Sequence, residues 1–329
     1  MAQLPYAGVP PDVQPAAVEL APSLIGETDA PSGYLADAGL VDAVNVALML
    51  RQPLLVTGEP GTGKSQLARS IAYQLGLDAP LNFETKSTSI ARDLFYSFDN
   101  IGRFRAAQSG DGHIRVAEFI SFNALGMAII LANAAEQVLE FLPSGFVHPG
   151  QRRSVVLIDE VDKAPRDFPN DILNEVERFF FRVPELGGRL LSADSRFRPI
   201  VVMTSNSEKA LPEAFLRRCI FYNIPFPTAD RLEEIVLSRL IGQFKSGAPL
   251  LRDAIEFFVA LRGTDSRLRK RPGTAELLNW LAALLEFGCT TETSLKAKER
   301  TARATLSTLS KMTEDQEAVR ESFQHWIAR

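Results

Sequence analysis

The run Pro53-Leu-Leu-Val-Thr57, followed at once by Gly58-Glu59-Pro60-Gly61-Thr62-Gly63-Lys64-Ser65, carries the reading of this chain. Residues 53–57 read as a short buried strand and residues 64–75 as a helix, with a glycine-rich turn between them. The eight residues of the turn match G-x-x-x-x-G-K-[ST] at every fixed position. Glycines at 58, 61 and 63 let the backbone wrap a polyphosphate with its N–H groups pointing inward. Lys64 then reaches the β- and γ-phosphates, and the Ser65 hydroxyl ligates Mg²⁺. The helix aims its positive dipole end at the same anion. The expected nucleotide-binding set is therefore Gly58, Glu59, Pro60, Gly61, Thr62, Gly63, Lys64 and Ser65, with Gln66 behind them. Strand, glycine turn and helix together open a phosphate-binding α/β domain.

Working outward, further strands are expected near Pro80–Thr85, Ser154–Ile158, Ile200–Thr204 and Ile220–Ile224, which makes five. Upstream, Leu40, Val41, Val44, Ala47 and Leu48 share one helical face. The interval from about residue 86 to 153 is far longer than one crossover needs, so something is inserted there. It is expected to hold a short helix at Ile90–Phe98, a loop at Asn100–His113 and a long helix from about Val116 to Phe141. Phe168–Arg178 reads as a helix. Phe179-Phe-Phe-Arg-Val183 and Arg189-Leu-Leu191 read as a β-hairpin about Pro184 and Gly187-Gly188, within about residues 179–199. Beyond Pro227 the signals turn helical, from Leu232, Ile235, Val236 and Leu240 to a last face of Val319, Phe323, Trp326 and Ile327.

The expected organisation is thus an arm rich in Pro and Ala over residues 1–33, an α/β nucleotide-binding core over 34–227, and a helical domain over 228–329. The arm reads either as a mobile tail or as a segment packed on a neighbouring subunit. Phe179, Phe180 and Phe181 read as core or as aromatics offered to a central pore.

Three further patterns carry chemistry. In Val155-Val-Leu-Ile-Asp159-Glu160 a buried strand delivers two carboxylates at its carboxyl end, where open α/β sheets bind ligands. Asp159 is expected to hold Mg²⁺ through water, and Glu160 to polarise an attacking water as general base. In Ile200-Val-Val-Met-Thr204-Ser205-Asn206 a second buried strand brings Asn206 between the γ-phosphate and that water. In Leu211-Pro-Glu-Ala-Phe-Leu-Arg217-Arg218-Cys219 paired arginines end a short helix. They serve either as a surface ion pair or as a cation presented to a neighbouring subunit's γ-phosphate.

Composition narrows the classes. Of 329 residues, 46% are hydrophobic and 23% charged, enough for a proper core and too ordered for a disordered chain. A formal net charge of −4 argues against coating nucleic acid through bulk positive charge. Cys219 and Cys289, the two cysteines, lack metal-ligand spacing and read as packing residues. His113, His148 and His325 are isolated. The first residues show no secretory pattern, and the most apolar stretch, Ala124–Ala135, is too short to span a bilayer, so a cytoplasmic protein without a membrane span is expected.

The order of phosphate loop, Asp-Glu strand, Thr-Ser-Asn strand, paired arginines and helical lid resembles an AAA+ ATPase. Pro53–Lys64, Ile158-Asp-Glu-Val-Asp-Lys-Ala-Pro165 and Ser205–Arg218 are similar to the MoxR-like branch. That branch carries an insertion in the second core helix and a hairpin before the sensor strand. The resemblance implies a parallel five-stranded α/β core between helices with a helical C-terminal lid. It implies Asn206 as sensor 1 and a finger among Arg217 and Arg218. Many relatives have Asp-Arg-Phe where this chain has Arg217-Arg218-Cys219, which aligns Arg218 with their arginine. For sensor 2 it implies a lid arginine at a helix start. Arg271 is favoured with Lys270 behind it, although the branch's Ser-Pro-Arg would put arginine at Gly273.

The implied activity is ATP hydrolysis, with ATP and Mg²⁺ bound, at subunit interfaces of a homo-oligomeric ring, usually a hexamer. The catalytic set is Glu160, Asn206, Arg217, Arg218 and Arg271, and the metal set is Ser65 and Asp159. MoxR-like proteins resemble chaperones that remodel or activate a partner, often through a von Willebrand factor A domain protein. Two alternatives stay open: a nucleic-acid motor with Arg152, Arg153, Arg182 and Arg189 lining a pore, disfavoured by the acidic charge, and an ATP-gated scaffold.

Overall fold

In the computed structural model, residues 30–108, 115–207, 211–263 and 267–328 are described. The expectations for residues 1–29 of the arm, for the end of the 100–113 loop and for His113 lie outside the described residues. The chain forms two compact units, an α/β unit of Ala36–Glu59 and Lys64–Pro225 and a largely helical unit of Phe226–Arg329 together with Pro60–Gly63 and the residues up to Leu35.

The α/β unit begins with α1 (Ala38–Leu50), capped by Asp37, whose carboxylate accepts the Leu40 amide at 3.0 Å. Leu40 and Ala47 are buried, whereas Val41 stays exposed, so α1 packs by a narrower stripe than its apolar pattern suggests. Then come β1 (Leu54–Gly58), α2 (Lys64–Gln74) and β2 (Leu81–Glu84). The insertion contains β3 (Tyr96–Phe98), α3 (Asn100–Gln108), β4 (Ile120–Phe122), α4 (Ala124–Leu131) and α5 (Ala135–Val138). After β5 (Val155–Asp159) follow α6 (Phe168–Asp171), α7 (Leu173–Arg178), the hairpin β6 (Phe180–Val183) and β7 (Arg189–Ser192), β8 (Ile200–Ser205), α8 (Glu213–Leu216) and β9 (Ile220–Ile224).

Five of these strands form one parallel sheet in the order β2-β5-β8-β1-β9. β1 is buried along its whole length and β5 as far as Ile158, as strands covered by helices on both faces must be. The hairpin forms as expected, its turn closed by Gly187 and Gly188, both at φ +73°.

The insertion differs from its sequence reading. The expected short helix at Ile90–Phe98 is a 3₁₀ turn at Ala91–Leu94 followed by β3. The expected loop begins instead as α3. The expected long helix is broken into a 3₁₀ turn at Val116–Phe119, β4, α4 and α5. Tertiary pairing is the reason: β4 forms an antiparallel ladder with β3, Tyr96 opposite Phe122. Asn123 then secures the corner, its amide on the Phe95 carbonyl at 2.8 Å and its side chain on the Asp93 carbonyl at 2.7 Å. At Gly126 a Cβ would lie 1.9 Å from the Phe95 carbonyl oxygen, so only glycine admits this approach. Asn133 ends α4 by donating to the carbonyls of Ile129 and Ser192.

Phe179 and Phe181 are buried core, and the Phe181 ring meets those of Phe95, Tyr96 and Phe122 at 5.4, 6.1 and 6.1 Å. The pore reading of these two aromatics therefore fails, and Phe180 is half-buried. Hairpin and insertion share this cluster and are also tied by the Tyr96 hydroxyl, which donates to Glu185 at 2.8 Å.

The helical unit comprises α9 (Ala229–Arg239), α10 (Pro249–Arg262), α11 (Thr274–Glu286), α12 (Glu299–Thr305) and α13 (Thr313–Ile327). Its core centres on Phe257, which meets Trp280, Phe323 and Trp326 at 5.6, 5.0 and 5.7 Å. Trp280 carries no exposed surface and donates its indole N–H to Thr305 at 2.9 Å. The described end of the arm joins this unit: Ser238 and Arg239 of α9 donate to the carbonyls of Gly33 and Ala30, each at 3.0 Å. No helix among the described residues is long and apolar enough to cross a membrane.

Candidate functional site

The parallel register assembles the site. Ile158 lies beside Met203 and Thr57 beside Ser205, so β5, β8 and β1 end side by side. Asp159, Thr204-Ser205-Asn206 and Gly58 consequently share the carboxyl edge of three adjacent strands, where an open parallel sheet leaves its crevice.

Gly58, Gly61 and Gly63 adopt φ of +150°, +82° and +86°, conformations that side chains resist. They turn the chain from β1 into α2, which delivers Lys64 and Ser65 at its first two positions and Gln66 third. Lys64 is 7% exposed. Its ammonium donates to the carbonyls of Gly58 and Glu59 at 2.8 and 3.0 Å and to the Asn206 side-chain oxygen at 3.1 Å. Burial pulls its pKa below the usual lysine range, against the opposing pull of Asp159, Asp162, Glu160 and Glu59.

The Ser65 hydroxyl contacts both carboxylate oxygens of Asp159, at 2.9 and 3.0 Å. Thr204, wholly buried on β8, donates its hydroxyl to the same carboxylate and accepts the Glu160 amide at 2.9 Å. Glu160 itself sits in the left-handed region, φ 54° and ψ 51°, so the chain leaves β5 with an abrupt turn. Its side chain is met by the Lys163 ammonium one turn on, and that pairing raises the Lys163 pKa. The Asn206 amide donates to Asp162 at 3.2 Å, which anchors the loop after β8.

The structure thus brings Lys64, Ser65, Asp159, Glu160 and Asn206 together from the ends of two strands and the start of one helix. Thr204, Asp162 and Lys163 also belong to the cluster, and the sequence reading assigned them nothing. For Thr204 the signal was strand parity: a hydroxyl one residue before the strand end, level with Asp159 in the ladder.

Arg217 and Arg218 lie elsewhere. They precede β9 and so stand at the amino edge of the sheet, a strand length away, roughly 15 Å, from the carboxyl edge. Both are exposed: Arg217 pairs with Glu213, while Arg218 donates to Glu177 at 3.2 Å and to the Ala214 carbonyl at 3.1 Å. Arg271 and Lys270 are exposed on the turn before α11. That turn is pinned by Asp315, whose buried carboxylate accepts the amides of Arg269 and Lys270 at 2.9 and 3.1 Å. The arginines of the pore alternative bond to different neighbours: Arg152 to Asp78, Arg153 to the Arg196 carbonyl, Arg182 to the Gly188 carbonyl and Arg189 to Glu140.

Residues 54–227 match the family model described as "ATPase family associated with various cellular activities (AAA)". No curated protein matches the sequence. Among solved structures, an alanine-to-serine mutant of Thermotoga maritima RuvB is 13% identical, with 83% of this chain and 70% of that chain covered and a TM-score of 0.46. A proline-to-glycine mutant of the same RuvB is 16% identical, with 82% and 67% covered and a TM-score of 0.43. A structure described as the basis of katanin self-assembly is 13% identical, with 95% and 99% covered and a TM-score of 0.42.

Proposed function

This chain belongs to the ATPase family associated with various cellular activities, and we propose that it hydrolyses ATP at the subunit interfaces of a homo-oligomeric ring to remodel or activate a partner protein. The observation that carries the reading is the convergence of Lys64, Ser65, Asp159 and Asn206 on the carboxyl edge of one parallel sheet. A buried ammonium that, among the described residues, donates to three neutral oxygens, next in sequence to glycines at positive φ, suits an incoming polyphosphate.

The donor chemistry also fits Mg²⁺, since a hydroxyl and a carboxylate, both hard oxygen ligands, already meet at Ser65 and Asp159. Those two residues would hold the ion. When bound, it neutralises charge on the β- and γ-phosphates. The backbone N–H groups of Gly61, Thr62 and Gly63 and the Lys64 ammonium bind and orient the phosphates. Glu160 orients a water and takes its proton, once its carboxylate is free of Lys163. Asn206, in reach of Lys64, steadies the water and the terminal phosphate.

Arg218 supplies positive charge to the neighbouring copy's γ-phosphate, and Arg217 assists; neither can serve its own site from the opposite edge of the sheet. Residues 34–227 act as the nucleotide-binding core and residues 228–329 as a lid that senses nucleotide through Arg271. The sequence resemblance to the MoxR-like branch supports a chaperone-like role, with a von Willebrand factor A domain protein as the partner class.

Full-length protein should turn over ATP only with Mg²⁺, with specific activity rising as subunits associate. Light scattering run beside phosphate release checks this. A monomer with full, concentration-independent turnover sinks the interface reading, and no affinity for ATP sinks the reading altogether.

A further inference from the structure

The amino edge of the sheet, opposite the nucleotide crevice, carries a row of guanidiniums. β8, β1 and β9 are consecutive neighbours in the sheet, about 4.8 Å apart. Arg198 precedes β8 by two residues, Arg51 precedes β1 by three and Arg218 precedes β9 by two. Parallel topology alone therefore sets these three arginines side by side.

The side chains of Arg218 and Arg198 meet at Glu177. Arg218 Nε donates to the Glu177 carboxylate at 3.2 Å, and Arg198 donates to the Glu177 backbone carbonyl. The Arg198 guanidinium lies 4.8 Å from the centre of the Phe179 ring, and the residue is half-buried. Arg51, in the left-handed region at φ 54°, reaches the Ser195 carbonyl at 3.5 Å. Burial and the nearby charge of Arg51 lower the Arg198 pKa, while Glu177 opposes them. Of the three cations, only Arg218 pairs with a carboxylate among the described residues, which leaves an excess of positive charge on this row, the arrangement that receives a phosphoryl group.

We propose that Arg198, beside Arg218 and backed by Arg51, completes a cationic receiver for the terminal phosphate of the ATP held by a second copy of this chain. This rests on the interface reading of Arg218 given above and extends it to two residues outside the paired-arginine motif. Arg217 is then the outer member, exposed and paired with Glu213 rather than with the row. Arg198 lies against an aromatic ring, whereas Arg218 must swing off Glu177 to engage. The carboxylate thus serves as a resting partner until a neighbour arrives.

The test mixes two inactive full-length variants. Arg198→Ala subunits hold ATP but lack the receiver, and Lys64→Ala subunits keep the receiver but hold no ATP. Arg198→Ala alone is expected to lose about a hundredfold or more in turnover while binding a fluorescent ATP analogue as the parent does. Addition of Lys64→Ala subunits should restore a substantial fraction, and Arg198→Lys should fall between parent and Ala. Parental turnover in Arg198→Ala, or a loss that mixing does not relieve, overturns the proposal. If Arg198→Ala leaves turnover intact but weakens binding of a labelled single-stranded oligonucleotide, the phosphate belongs to nucleic acid and the proposal also fails. An Arg218→Ala loss with an unaffected Arg198→Ala refutes only Arg198. Full turnover in both variants refutes the interface reading itself. Should Arg198→Ala fail to fold, judged by circular dichroism, the mixing is repeated with Arg198→Lys, where recovery supports the proposal and no recovery overturns it.

Discussion

Thr204 holds Asp159: its hydroxyl, wholly buried at the end of β8, donates to the Asp159 carboxylate while accepting the amide of Glu160 at 2.9 Å. One oxygen thereby sets the direction of the expected metal carboxylate and the sharp left-handed turn that aims the expected base. Replacing it with Val keeps the shape and strands a buried amide and a carboxylate, at a cost of about 1–3 kcal/mol.

Thr204→Val should accordingly raise the Mg²⁺ concentration needed for half-maximal turnover by about tenfold, with Mg²⁺-free nucleotide binding little changed. Thr204→Ser, which keeps the hydroxyl, should restore the parental requirement. Equal Mg²⁺ dependence in the Val variant and the parent would remove Thr204 from the site.

Glu160→Gln should bind ATP as the parent does and cut turnover by orders of magnitude, because the amide cannot take the proton of the attacking water. Lys64→Ala should fail one step earlier, losing nucleotide affinity. Equilibrium binding beside single-turnover hydrolysis separates the two, and parental turnover in Glu160→Gln would refute its assignment.

Lys163 competes with water for the Glu160 carboxylate. Its removal in Lys163→Ala should raise basal turnover a few-fold, with KM for ATP unchanged. A fall in turnover would show instead that the lysine helps to place the base.

Lys64 has its pKa lowered by burial in the nucleotide-free protein, and a bound triphosphate must raise it again. The sign follows: above the free-state pKa, binding takes up a proton, so affinity falls as pH rises, by up to about tenfold per unit. The fall should begin below pH 10.5, the ordinary lysine value. Calorimetry in buffers of different ionisation enthalpy measures the uptake directly, and proton release on binding would contradict this account.

Gly126→Ala should destabilise the α/β unit by about 2–4 kcal/mol, since the added methyl lies 1.9 Å from the Phe95 carbonyl oxygen and that backbone is tied to Asn123. Urea unfolding measures it. A change under about 0.5 kcal/mol would show that the corner yields freely.

Local chemistry explains why so much of the site could be read from sequence. The phosphate loop declares itself because its glycines and its Lys64-Ser65 must be contiguous to turn a strand into a helix around an anion. Asp159 and Asn206 declare themselves as polar residues ending apolar strands. The insertion misled because apolar periodicity over 116–141 satisfies a helix as well as a strand followed by a helix. The choice fell to the β3–β4 ladder and to the close approach at Gly126, contacts made by residues some thirty positions apart.

Sequence alone determined the five strands of the sheet, the phosphate loop and the chemical kinds of the acting groups, because those follow from residue type and near-neighbour spacing. Tertiary structure alone decided which groups meet. The parallel order β2-β5-β8-β1-β9 draws Asp159, Thr204, Asn206 and Lys64 to one edge of the sheet and ranges Arg198, Arg51 and Arg218 along the other. Hydrogen-bonded register between strands distant in sequence sets that arrangement, and no single strand encodes it.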